Sequence, residues 1–143
     1  MGTAYETDII AWANEQAELL RSGRLSELDI AHLAEEIEDV GKSEQRELAS
    51  RLAVLLAHLL KWRYQPERRG SSWQRAIKEQ RRAIAARIAE TPSLKAALAN
   101  PTWIEGVWAD ALARAVDETG LDLFPEDCPW TTDQVLSQSF FPD

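Results

Sequence analysis

The chain has 143 residues, 45% of them hydrophobic, with six glycines, six prolines and a formal net charge of −8. That is enough chain to bury a core without staples, and too few breakers for a disordered one. A single cysteine, Cys128, excludes an internal disulfide and points to a reducing, cytoplasmic setting, while no apolar run approaches the ~20 residues that span a bilayer and no signal-peptide pattern opens the sequence.

Apolar residues recur at helical spacing nearly throughout, and strand-like alternation is absent. Thr7 is placed to cap a first helix carrying Ile9, Ala13, Ala17 and Leu20, ended by Gly23. Asp29 opens a second, with Ile30, Leu33, Ile37 and Val40 on one stripe, which Gly41 is expected to stop. Ser43 then opens a third whose broad face of Leu48, Leu52, Leu55, Leu56, Leu59, Leu60 and Trp62 marks it as the central helix. Gln65-Pro66 ends it, because proline disfavours helical geometry in the residue before it.

Ser71 or Ser72 is expected to cap a fourth helix burying Ile77, Ile84 and Ile88. Thr91-Pro92 and Asn100-Pro101 each combine a capping side chain with proline at the first helical position, opening a short helix to about residue 99 and a longer one to about 118. Gly120 stops the latter. Residues 121–143 form an arm with Phe124, Trp130, Leu136, Phe140 and Phe141, and with Thr131 and Gln134 spaced as a capping box. The expectation is an all-α bundle of five to six helices in one domain spanning residues 1–143, with the bundle over 1–120 and the C-terminal arm over 121–143 docked on the bundle or on a second subunit.

Many of these residues resemble a known family. Trp12, Gln16-Ala17, Leu28-Asp29, Glu35-Glu36-Ile37-Glu38, His58-Leu59-Leu60-Lys61-Trp62, Gln65-Pro66, Ser72-Trp73, Gln80-Arg81, Pro92-Ser93-Leu94, Phe124-Pro125 and Cys128-Pro129 stand in the order seen in a bacterial family catalogued as domain of unknown function 29. The resemblance implies an all-helical cytoplasmic bundle and supplies no catalytic residue.

Catalytic and metal-binding constellations are poorly supported. Glu35, Glu36, Glu38 and His58, with His32, offer too few convergent ligands at too irregular a spacing for a metal, and on a helical wheel His32 and Glu35 turn towards water. Cys128 stands in acidic company that raises a thiol pKa. No phosphate loop, paired CxxC or HExxH is present, so no cofactor is expected and an enzyme is the less favoured reading.

Charge is segregated instead. Residues 1–47 and 100–143 each carry net −8, while residues 48–99 carry net +8. The basic block centres on Arg68, Arg69, Arg75, Lys78 and Arg82, interleaved with Trp62, Tyr64 and Trp73. Such a patch either pairs with the acidic ends or meets nucleic-acid phosphates, and bulk acidity favours the former. Glu36, His58, Gln80 and Arg81 each edge an apolar stripe, so they are expected to meet, with Arg81 paired to Glu36. Trp12 and Trp62 read as core anchors; Trp103, Trp108 and Trp130 read as interface residues. The reading that follows is a binding or regulatory module whose partner is protein, including a second copy, with a nucleic-acid-associated protein as the alternative.

Overall fold

The structure, a computed structural model, describes residues 3–143. Six α-helices occur among them and no strand: α1 (Ile9–Arg21), α2 (Ile30–Tyr64), α3 (Ser71–Glu90), α4 (Lys95–Leu98), α5 (Pro101–Thr119) and α6 (Thr132–Leu136). Contacts divide the chain into two compact units, Met1–Ser43 and Glu44–Asp143, and the arm belongs to the second.

Several boundaries follow from local chemistry. Asn100 accepts from the backbone N–H groups of Thr102 and Trp103, satisfying two of the donors that a helix start leaves free. Gly120 closes α5 in the left-handed region at φ 73°, where a Cβ is costly. At Thr131 the expected capping box is complete, each partner side chain bonding the other's backbone.

Other boundaries differ from expectation. Asp8, not Thr7, caps α1, its carboxylate accepting from the Ala11 amide. Gly70, in extended geometry and without a side-chain bond, stands where Ser71 or Ser72 was expected to cap α3. Thr91 makes no capping bond, and Pro92–Leu94 is a 3₁₀ turn leading into the short α4. The largest difference is at Gly41, where α2 runs through without a stop. A glycine inside a helix costs about 1 kcal/mol relative to alanine. The helix-forming residues on both sides outweigh that, so Ser43 opens nothing.

In the second unit Leu48, Leu52, Leu55, Leu56, Leu59 and Leu60 of α2 form the core with Ile77, Ile84, Leu94, Val107, Trp108, Ala111, Ala115 and Val135. Each such leucine contributes roughly 1.5–3 kcal/mol by burial. The arm's aromatics meet rings of the same unit: Phe141 lies 4.9 Å from Trp62, Phe124 5.4 Å from Tyr64 and Trp130 6.2 Å from Trp108 between ring centroids. Trp108 is buried, with its indole N–H donating to the Glu126 carbonyl at 2.8 Å, so it is a core residue and not the interface residue expected.

Candidate functional site

Three constellations carry polar or exposed chemistry. The first lies in residues 1–43. Trp12 is buried, and an indole N–H out of water needs an acceptor. Asp29 supplies it at 2.9 Å and also accepts from His32 Nδ1 at 2.7 Å, while its own backbone N–H donates to Gln16 Oε1 at 2.8 Å. Tyr5 stacks on the His32 imidazole, ring centroids 4.1 Å apart, and its hydroxyl donates to Glu36. That hydrogen bond to Glu36 pushes the Tyr5 phenol up to about 12. Hydrogen bonding to His32 holds the Asp29 carboxyl below its ordinary range, and the same bond raises His32.

Neither wheel geometry nor spacing revealed this clamp. His32 does not turn to water as expected, because Tyr5 covers its ring. The available signal was Asp29 and His32 at i,i+3 with an indole in need of an acceptor. The clamp orients an imidazole as an acid–base dyad would, but the other ring nitrogen lies 3.3 Å from Glu6. The dyad therefore presents a carboxylate neighbour rather than a nucleophile.

Holding α2 by Asp29, His32 and Glu36 fixes its rotation. The Ile30–Ile37–Val40 stripe lies about a quarter turn from that face. With Leu33 it was expected to be buried; Leu33 is half-buried, but Ile30, Ile37 and Val40 are 70%, 70% and 66% exposed. Ile9, Ile10, Leu20 and Leu25 are exposed too, so among the described residues seven of the nine exposed large hydrophobic residues fall in the first 43 positions. Ten acids and three bases accompany them.

The second constellation is the basic corner. Of the eleven bases in residues 48–99, salt bridges among the described residues involve Arg51 with Glu47, Lys61 with Glu118, and Arg87 with Glu44 and Glu47. Among the described residues Arg68 and Arg69 do not pair with acids as the ion-paired corner required. Arg69 donates from Nε to the Trp62 carbonyl at 2.7 Å and lies over the Trp62 ring. Arg68, Arg75, Lys78 and Arg82 are exposed and in no salt bridge among the described residues. The corner's rings are engaged: Trp62 packs on Phe141 and Arg69, Tyr64 on Phe124, and Lys61 sits over Trp73.

The third surrounds Arg81, which is 1% exposed. Its expected pairing with Glu36 is not formed. Nε donates to the Val135 carbonyl at 2.8 Å and Nη2 to the Phe140 carbonyl at 2.7 Å, with the guanidinium 5.5 Å from the Phe141 ring centroid. Val135 belongs to the last turn of α6, whose carbonyls have no partner within the helix and carry the negative end of its dipole. A forked guanidinium spans this carbonyl and that of Phe140, beyond the helix, without any carboxylate. Of the other residues expected with Arg81, Glu36 takes the Tyr5 hydroxyl within the first unit and His58 Nδ1 donates to the Val54 carbonyl at 2.9 Å within the second. Gln80 Oε1 and Arg81 Nη1 are buried without a hydrogen-bond partner. Burial lowers His58, and burial rather than the neighbouring acids raises the Cys128 thiol.

Among the described residues no three His, Cys, Asp or Glu converge as metal ligands, and no helix is long and apolar enough to cross a membrane. In comparisons with known proteins, no curated protein and no solved structure matches. A family model described as domain of unknown function DUF29 matches residues 4–141, nearly the whole chain. The match runs from before α1 nearly to the end of the arm, and the chain belongs to the DUF29 family.

Proposed function

We propose that the protein is a helical binding module that engages a partner protein through the apolar, acidic face of residues 9–40. The observation that carries this reading is the Ile30–Ile37–Val40 stripe, held outward by the Asp29 clamp and flanked by further exposed apolar residues. Apolar exposure of that kind, rimmed by charge, marks protein interaction surfaces. Eight acids against two bases in residues 9–40 define the partner's chemistry: an apolar helix flanked by Lys and Arg. Self-pairing of this face would juxtapose two acidic surfaces. The basic corner of a second copy is no better match, because none of the exposed large hydrophobic residues lies between positions 41 and 115.

A photo-crosslinking residue placed at position 37, and separately at 78, tests this in the native host. Position 37 is expected to give a discrete protein adduct, mapped by mass spectrometry to a Lys/Arg-flanked apolar segment and lost with Ile30→Glu. An adduct confined to position 78, an adduct with an acidic segment, or none at position 37 would overturn the reading.

A nucleic-acid role keeps one supporting observation, the exposed bases that include Arg68, Arg75, Lys78 and Arg82. With the neighbouring rings already packed, that surface offers phosphate contacts and little base stacking.

A further inference from the structure

We propose that the cleft between α3 and the C-terminal arm binds a small amphipathic carboxylate, its head group towards Arg81 and its apolar chain along Ile84, Ile88 and Leu136. The cleft measures about 460 Å³, within the size range of small-molecule sites. Its walls come from α3, from Pro92 and Lys95 beyond it, and from Leu136 of α6. Two cationic side chains line it, Arg81 and Lys95, and no acidic one does.

Arg81 gives the cleft its chemical preference. A guanidinium at 1% exposure ordinarily has a carboxylate beside it, because an isolated buried charge is costly. Here its bonded partners are the carbonyls of Val135 and Phe140, whose dipoles neutralise only part of the charge, and Nη1 remains a buried donor without an acceptor. A positive charge beside apolar walls favours an anion over a neutral or cationic ligand of the same shape, most at the buried Arg81 end and less where the cleft opens to solvent at Ala85, Ala89 and Pro92. Lys95, exposed on the far side of Pro92, adds to the same field. The apolar remainder of the ligand follows from Ile84, Ile88 and Leu136. Because Leu136 adjoins Val135, the residue whose carbonyl holds Arg81, the ligand touches the arm and its latch together.

The test uses the full chain and octanoate as the probe, with octanol and octylamine as charge controls, followed by titration calorimetry and amide chemical shifts. Octanoate is expected to bind saturably and about tenfold or more tighter than either control, a difference of about 1.4 kcal/mol. Shifts should concentrate on residues 81–95 and 135–141. Ala85→Trp fills the wall from an exposed position one turn after Arg81 and is expected to weaken binding at least tenfold, while wild-type amide protection at residues 131–142 shows that the arm stays in place. Lys95→Glu is expected to weaken octanoate but not octanol. Equal affinity for octanol, wild-type binding by Ala85→Trp, or no saturable binding in the millimolar range would overturn the proposal.

Discussion

Replacing Arg81 with methionine keeps the apolar stem and removes the guanidinium. Two charge-assisted hydrogen bonds to the arm are lost, at 2.8 and 2.7 Å, and the carbonyls of Val135 and Phe140 are left without that donor. Each such bond contributes about 1.5–3 kcal/mol. Against this, the variant no longer buries a cation without a carboxylate, a relief that offsets part of the loss. The net destabilisation is therefore roughly 2–4 kcal/mol, a large share of the 5–15 kcal/mol that holds a typical domain. Arg81→Lys keeps the charge but cannot span both carbonyls, so it should fall between wild type and Arg81→Met. Urea unfolding gives the magnitude, and hydrogen exchange gives the location: amides of residues 131–142 should lose protection first. Because the partners are carbonyls, adding Glu36→Leu should not rescue Arg81→Met, and the two changes should add within ~0.5 kcal/mol. A change under ~1 kcal/mol with an equally protected arm, or rescue by Glu36→Leu, would refute the latch.

Gly41→Ala should stabilise the chain by about 0.5–1 kcal/mol, since Gly41 is helical with open space at its Cβ, whereas Gly120→Ala at φ +73° should destabilise it; equal signs in thermal melts would contradict the continuous α2. The two histidines should titrate on opposite sides of their ordinary value of 6.5 in proton NMR, His32 above it through its bond to Asp29 and His58 below it through burial. The His32 contribution to stability is then complete below pH 6.5 and lost as pH rises through its folded pKa, while that of His58 is complete above 6.5 and lost as pH falls; reversed order would refute both assignments. Duplex DNA should bind weakly at ~50 mM salt and without sequence preference, be released as salt rises, and not bind Arg75→Glu/Arg82→Glu at all, as measured by fluorescence anisotropy; tight binding at ~150 mM salt would promote the nucleic-acid reading.

What was legible in the sequence is what local chemistry decides. The Leu48–Leu60 face, the Asn100-Pro101 start, the Gly120 stop and the Thr131/Gln134 box all stand where spacing placed them. What was not legible depends on partners distant in sequence. The Ile30–Ile37–Val40 stripe reads as a core face until Asp29 is seen holding Trp12 and His32, which turns α2 the other way. Arg81 lies at the edge of an apolar stripe, as the wheel indicates, but the wheel cannot show that its acceptors are main-chain carbonyls 54 and 59 residues away. Side-chain identity signals a carboxylate partner; it does not signal a free carbonyl at the end of a short helix and another in the segment after it. Gly41 misleads for the opposite reason, since its helix-breaking tendency is real but small against the helix around it.

The claim that the stripe on α2 is a covered binding surface is tested most directly by carbene footprinting of Ile30, Ile37 and Val40, in the native host and on the purified chain. The purified chain should label heavily at all three, in keeping with exposures of 66–70%. Inside the cell the same residues should be strongly protected, while Leu123 of the arm labels equally in both. Equal labelling of the stripe in the cell and in isolation would contradict the account.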